Sequence, residues 1–269
     1  MNKADSATSS FSTTTTLRKS ASPMKSLVNL LTPGGLRRWS WGKRNLWPLP
    51  GWVRFGSLRR LTPICNDFGF TRGTPVDRYY IENFLAANAA DVRGRVLEIG
   101  DNSYTLRYGG ARVGKSDVLH VDPGNPLATF TGSLTDIPEI PSEAFDCVIL
   151  TETLYLIYDF RAALCTIERI LKPGGALLIT FPGTNHQICH AEARMWGDYW
   201  RFTTWSAQKF LGEFFGDANV KTTSFGNVLV AISFLHGLAA EELTRQELDY
   251  NDDDYQMTVA ARAVKPHTR

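Results

Sequence analysis

Two histidines and an aspartate in one short stretch, His186, His190 and Asp198, are the residues here best suited to accept a proton from a reacting group. A hydroxyl is a weak nucleophile, and a base that removes its proton during attack speeds the step. Around Asp198 the segment WGDYWRFT also supplies Trp196, Tyr199, Trp200 and Arg201. Aromatic faces stack on the C–H faces of a pyranose, and a guanidinium donates to hydroxyls or carboxylates. The stretch thus combines groups for holding a sugar with groups for deprotonating it. Plainer roles stay open: loop histidines without chemistry, an Asp198–Arg201 ion pair, and Trp200 and Phe202 in the core. No cluster has convincing metal-ligand spacing, and Asp252-Asp253-Asp254 reads as a solvated turn before a strand. Cys65, Cys147, Cys165 and Cys189 form no CxxC, and the apolar patterns around Cys147 and Cys165 predict buried thiols in a reducing compartment.

A second group of residues has the spacing of a nucleotide site. VLEIG at Val96–Gly100 ends an apolar run with an acid, an apolar residue and glycine. In open α/β sheets ligands bind at the carboxyl ends of strands, and glycine there lets backbone approach the ligand. In VLHVDPGN, Asp122 follows about twenty residues after the glycine turn, where an acid can accept hydrogen bonds from ribose hydroxyls. Its alternative is an Asx-turn acid before Pro123-Gly124.

Positioning these residues needs alternating strands and helices. Periodicity predicts a helix over Val76–Ala90 and strands over Arg95–Gly100, Asp117–Val121, Ala128–Thr131 and Phe145–Leu150. A helix over Phe160–Leu171, with Asp159 as its cap, stops at Lys172-Pro173-Gly174-Gly175. A strand over Ala176–Phe181, a helix over Ser206–Phe215 and a strand over Val220–Phe225 follow. Asn227–Leu248 reads as mostly helical and Tyr255–Lys265 as a last strand. This alternation implies an α/β domain with a parallel sheet and helices on both faces.

The order VLEIG, HVDPGN, FDCVILTETL, LKPGGALLIT resembles the class I S-adenosylmethionine-dependent methyltransferases of the type 11-like group, over residues 76–265. The resemblance implies a Rossmann-like seven-stranded sheet, mostly parallel with an antiparallel last strand, and S-adenosyl-L-methionine as cofactor. It implies cofactor contacts from Glu98, Gly100, Asp101 and Asn102, from Asp122 and Pro123, from Ser133 and Leu134, and from Thr151. The family's GxGxG loop reads Gly100-Asp101-Asn102-Ser103-Tyr104 here. Asn tolerates the left-handed backbone, so Asn102 is expected to keep the turn, while Tyr104 has to point away from the ligand. Ser133 stands where an acid often contacts adenine, and Leu134 beside it offers a backbone N–H. The resemblance also places Tyr79 and Tyr80 on a helix that closes over the cofactor, and Glu152 and Tyr155 among substrate contacts.

The flanking segments RGTPVDRYYIENFL, WGDYWRFT and GNVLVAISFLHGLAAEEL resemble a bacterial subgroup found beside or fused to glycosyltransferases. That resemblance implies methylation of a saccharide or glycoconjugate hydroxyl in polysaccharide biosynthesis, with a glycosyltransferase as partner. The altered glycine loop keeps a second reading open, a protein of this fold that binds without turnover. A nicotinamide oxidoreductase is disfavoured because GxGxxG is absent.

Charge divides the chain. Residues 1–60 hold eleven Lys/Arg against one acid, whereas residues 61–269 hold eighteen against twenty-six acids. The second part is mildly acidic, which argues against nucleic acid as its partner. Residues 1–22 are Ser/Thr-rich and read as a disordered tail, or as a transit peptide. Residues 23–71 form a basic arm with Trp39, Trp41, Trp47 and Trp52, ahead of a methyltransferase domain at 72–269. Such an arm can be solvated with its tryptophans packed on the domain, can contact an anionic membrane surface or a partner protein, or can bind nucleic acid. No apolar stretch is long enough to span a bilayer. The chain reads as cytoplasmic, with peripheral contact at the inner face of the membrane through the arm.

Overall fold

The computed structural model describes residues 48, 49, 51–187 and 196–267. The Ser/Thr-rich segment, most of the basic arm, Cys189 and His190 lie outside the described residues. The chain divides into two compact units, Met1–Arg59 and Arg60–Arg269. In the first, the described residues contain a turn closed by Trp52 N–H on the Leu49 carbonyl at 2.8 Å and a short 3-10 turn at Gly56–Leu58.

The second unit is built on a seven-stranded sheet. Its strands are β1 Gly94–Ile99, β2 Val113–His120, β3 Phe130–Thr131, β4 Phe145–Leu150, β5 Leu171–Pro182, β6 Val220–Phe225 and β7 Thr258–Val264. They lie in the order β3-β2-β1-β4-β5-β7-β6. Pairings from β3 through β5 are parallel, and β7 runs antiparallel between β5 and β6. The parallel part is what the strand pattern predicts, and the antiparallel last strand is what the family resemblance implies. Its central strands are apolar on both faces because helices cover both.

Side-chain alternation in β1 shows the two layers. Leu97 enters the larger core with Val148, Leu177 and residues of α2 Phe160–Ile170 and α3 Thr204–Phe215, including Leu164, Ile167 and Phe210. Val96 enters the opposite core with Cys147, Ile149, Leu178 and Ala260, under Ile81, Phe84 and Leu85 of α1 Val76–Ala87. A smaller cluster joins Val76 and Tyr80 of α1 to Val230 and Phe234 of α4 Val228–Leu235.

Local signals explain the boundaries. Asp159 caps α2 by accepting the Ala162 N–H at 3.1 Å. Thr203 and Ser206 form a capping box that starts α3 before the expected Ser206. Lys172–Gly175 does end α2, but the segment continues directly as an irregular start of β5. The long helix expected over Asn227–Leu248 is broken into α4, a 3-10 turn and α5 Arg245–Asp249. Gly237 makes the break: its φ is +67°, and a Cβ there would lie 2.1 Å from the Cys65 carbonyl oxygen. Cys147 is buried as expected, but Cys165 is exposed, because it falls on the solvent face of α2 between buried Leu164 and Thr166. Asp252–Asp254 forms a turn, with the Asp254 N–H on the Asp252 carboxylate at 3.1 Å. Among the described residues no helix is long and apolar enough to cross a membrane.

Candidate active site at the carboxyl ends of the strands

The parallel strands run outward in opposite directions along the sheet from the β1–β4 pair, so their βα connections part there and leave a crevice at the carboxyl ends. Gly100 lies at its centre. Its φ is +95°, and a Cβ added to it would meet no atom within 4 Å. It therefore faces open space, and two cavities share it.

One cavity, of about 490 Å³, is a largely apolar slot between Ile99, Leu119, Leu134, Leu156 and Ile157, with Ser133 and Trp196 at its margin. The other, of about 590 Å³, lies between β1 and the start of α1 and includes Pro75, Arg78, Glu98, Asp101, Tyr104 and Thr151. A third cavity, of about 230 Å³, adjoins both. It shares Leu156 and Trp196 with the slot and Arg78 with the second cavity, and adds Phe68, Asp77, Glu152, Tyr155 and Asn185.

The third cavity is unusually charged for its burial. Glu152 has a φ of +42° and Phe68 of +48°, two of the three non-glycine residues with positive φ among the described residues. Strained backbone of this kind persists where surrounding structure enforces it, and it clusters at functional sites. The backbone N–H of Glu152 reaches both the carbonyl and the hydroxyl of Thr180 at 3.2 Å, which fixes the turn. Its carboxylate Oε1 is buried without a hydrogen-bond partner, as is Oδ1 of Asn185. Burial, reinforced by the Asp77 charge, pushes the Glu152 carboxyl up to about 8 against the pull of Thr180, Arg78 and Arg201. Burial also raises Asp77, whose nearest opposing influence is Arg78. The cavity therefore holds acceptor atoms in want of donors, among aromatic walls.

The glycine turn is rebuilt around Glu98. Its carboxylate accepts the backbone N–H groups of Tyr104 at 3.2 Å and Thr105 at 2.7 Å, and the Thr105 hydroxyl at 2.7 Å. Burial pushes Glu98 up to about 7 in spite of these donors. Asp101 closes an Asx turn onto the Ser103 N–H at 2.8 Å. Asn102 does not take the left-handed backbone expected of it: its φ is not positive, and its carbonyl accepts the Leu106 N–H at 3.0 Å, starting a helical turn. Tyr104 drops its ring into the core beside Ile81 and Phe84, so it does not block Gly100.

Other expected residues are distributed unevenly. Ser133 and Leu134 reach the slot, and Thr151 the second cavity. Asp122 and Pro123 lie in the turn just beyond β2. One Asp122 oxygen accepts the Gly124 N–H at 2.8 Å, and His120, two residues earlier, lines the slot instead. Tyr79 and Tyr80 turn away from the crevice. Tyr79 donates to Asp249 at 2.5 Å and Tyr80 to the Leu248 carbonyl at 2.8 Å, because their face of α1 packs toward α4 and α5. Trp196 and Tyr155 line the third cavity, but Trp200 is a packing residue whose indole N–H donates to the Ile157 carbonyl at 3.1 Å.

Asp198 is not free to act as a base. It is held bidentately by Arg201, which also donates to the His186 carbonyl at 3.0 Å and lies over the Tyr155 ring. His186 stacks on Phe68 at 4.1 Å, behind the cavity wall. Asp77, Arg78, Asn185, Phe68, Phe70 and His120 are site residues that the sequence patterns did not single out. Burial of Val76, Tyr80 and Ile81 sets Asp77 and Arg78 on the adjoining face of α1, a signal readable from helical period. Phe68 and Phe70 carry no such signal.

Comparison with known proteins bears on this crevice. Residues 84–179 match the family model of the methyltransferase domain. The stretch runs from within α1 into β5 and contains the Gly100 turn and Glu152. The sheet order and the antiparallel β7 are those of the class I methyltransferase fold. Similar solved structures include the N-methyltransferase NodS of Bradyrhizobium japonicum bound to S-adenosyl-L-homocysteine, at 17% identity and TM-score 0.45, covering 78% of this chain and 97% of that one. A SAM-dependent methyltransferase of Archaeoglobus fulgidus shares 15% identity at TM-score 0.43, over 70% of this chain and 90% of that one. The [4+2]-cyclase SpnF shares 17% identity at TM-score 0.45, over 72% and 84%. No curated protein matches the chain.

Proposed function

We propose that this protein transfers a methyl group from S-adenosylmethionine to a hydroxyl of a saccharide or glycoconjugate. The observation that carries the reading is the buried, unpartnered Oε1 of Glu152 in a cavity that shares Leu156 and Trp196 with the slot beside Gly100.

The residues present fit the cofactor. Gly100 leaves space where any other residue would place a Cβ, and the slot has the size and apolar lining of a small-molecule site. Ile99, Leu119, Leu134, Leu156 and Ile157 would enclose the adenine. Asp122 would use its second carboxylate oxygen, which makes no hydrogen bond among the described residues, for the ribose. The bound cofactor supplies an electrophilic methyl group.

The acceptor belongs in the third cavity. Trp196, Tyr155, Phe68 and Phe70 give the cavity the aromatic lining that suits a pyranose, while Glu152 and Asn185 accept from its hydroxyls. Glu152 takes the proton of the reacting hydroxyl as its oxygen gains the methyl group. A carboxyl raised to about 8 is, once ionised, a stronger base than an ordinary carboxylate, and its ionised fraction grows as pH rises toward 8. The aromatic walls exclude water and hold the oxygen in line.

On this reading the domain at 72–269 is catalytic. The basic arm contacts a glycosyltransferase or the anionic inner face of a membrane, and the protein works in the cytoplasm. The decisive experiment incubates the full chain with methyl-labelled cofactor and a panel of oligosaccharides. Labelled, alkali-stable ether products are expected, and Glu152→Gln should lower kcat by about 10²–10⁴-fold with cofactor binding retained. Cofactor binding with label on amines alone would sink the saccharide reading. Absence of cofactor binding would sink the enzyme reading. Co-sedimentation of the full chain with anionic liposomes, compared with a chain beginning at Leu61, tests the arm.

A further inference from the structure

The sequence of α4, VLVAISFL, has no charged residue and a single polar one, Ser233. Val230, Ala231, Ser233 and Phe234 are buried against the domain. Phe234 lies 5.9 Å from Phe68, which lines the third cavity. Val228, Leu229, Ile232 and Leu235 form the outer face, each 39–49% exposed. Their spacing puts all four in one stripe along the helix. A helix that is apolar all round is ordinarily covered on every side. Among the described residues, this outer face stays open to solvent.

The two ends of the stripe differ. At the C-terminal end the His236 carbonyl accepts the N–H groups of Ile64 at 2.9 Å and Cys65 at 3.1 Å, which brings in the segment that begins with Arg60 and the fully exposed Leu61. At the N-terminal end the Asn227 side chain, which caps α4, donates to the Tyr250 carbonyl at 2.8 Å, and the Asp252 N–H donates to the Gly226 carbonyl at 2.9 Å. Tyr250 is 64% exposed, and the exposed Asp253 and Asp254 follow it. One end is therefore basic and the other acidic, and each adds an exposed apolar side chain to the stripe. Neither Arg60 nor Asp254 has an ion-pair partner among the described residues.

We infer that this face is the interface between two copies of the chain, packed α4 against α4 in antiparallel sense about a two-fold axis. Such an axis makes a patch meet itself, so the patch has to be self-complementary. Antiparallel α4 helices satisfy this. Val228, Leu229, Ile232 and Leu235 of the two copies cover one another, and Arg60 and Leu61 of one protomer come to Asp254 and Tyr250 of the other. An apolar centre is then flanked by two ion pairs at the rim. An anionic membrane fits this face less well. Helices that lie in a lipid surface carry Lys or Arg beside their apolar face, whereas α4 has none and borders the acidic turn of Asp252, Asp253 and Asp254. Because Phe234 joins the back of α4 to Phe68, the interface would brace the wall of the third cavity. The inference stands apart from the methyl-transfer reading.

Sedimentation equilibrium of the full chain tests this. Wild type is expected to be a dimer at micromolar concentration. Ile232→Glu, which would bury an unpaired carboxylate on each side, should weaken association by about 100-fold or more. Its near-ultraviolet dichroism should stay native, because Ile232 is exposed in a single copy. Arg60→Glu and Asp254→Arg should each weaken association by about 2–10-fold at low salt, and the double variant should recover it, because the exchanged charges meet across the axis. A wild type that remains monomeric would overturn the inference. So would a dimer unaffected by Ile232→Glu, which would lie on another face. A double variant that does not recover would overturn the antiparallel arrangement. A monomeric wild type that binds phosphatidylglycerol vesicles, with binding lost in Ile232→Glu, would assign the stripe to a membrane instead.

Discussion

The Glu98 carboxylate accepts both the backbone N–H and the hydroxyl of Thr105 at 2.7 Å, tying the end of β1 to the turn that follows it. A strand residue therefore caps the next helical segment from below, and the position of Gly100 depends on that tie. Glu98→Ala should lower stability by about 1–3 kcal/mol, the cost of leaving buried donors without partners. Glu98→Gln, which keeps an acceptor, should cost less. Urea unfolding of the two variants measures the difference, and equal midpoints would show that the tie is not what holds the turn.

Glu152 should be a liability to stability and a requirement for activity. Its folded-state carboxyl is raised from 4.5 to about 8, so the folded protein binds its proton more tightly than the unfolded chain does. That contribution is complete below about pH 4.5 and is lost as pH rises toward 8. Glu152→Gln removes the titration. The variant should match wild type near pH 5 and melt progressively higher than wild type up to pH 8, while losing turnover. Thermal melts across that range check it. A constant difference in Tm would mean that Glu152 is not desolvated in the folded state.

Gly100→Ala combines strain with obstruction. A φ of +95° is costly for any residue with a Cβ, and the added methyl would project into the space shared by the slot and the second cavity. A loss of about 1 kcal/mol or more in stability is expected, with a larger loss in S-adenosylhomocysteine affinity. Calorimetric titration beside urea unfolding separates the two effects. Unchanged affinity in the folded variant would place the ligand elsewhere.

Asp122→Ala tests the ribose contact. Because one oxygen already serves the Gly124 N–H, the substitution removes a turn bond as well as the ligand contact. Affinity for S-adenosylhomocysteine should fall by about 1–3 kcal/mol. Asp122→Asn, which keeps an acceptor for the turn, should lose less. A folded Asp122→Ala protein with wild-type affinity would leave Asp122 as a turn residue only.

The sequence by itself determined the scaffold. Apolar runs bounded by turn residues fixed β1, β4, β5 and β7, because a strand buried on both faces can be written in few ways. The Gly100 turn was legible for the same local reason, since φ there requires glycine. What the tertiary structure decided was which polar side chains are free to act. Asp198 and Glu152 are both acids near strand ends. Arg201 closes on the first, while the turn after β4 buries the second with one oxygen unpartnered. Tyr79 and Asp77 are two residues apart on α1, yet one faces α5 and the other the cavity. Asn102 was expected to bend the backbone, but Glu98 ties the turn and Asn102 starts a helix instead. Such outcomes depend on neighbours distant in sequence, so composition and spacing could nominate the residues but not choose among them.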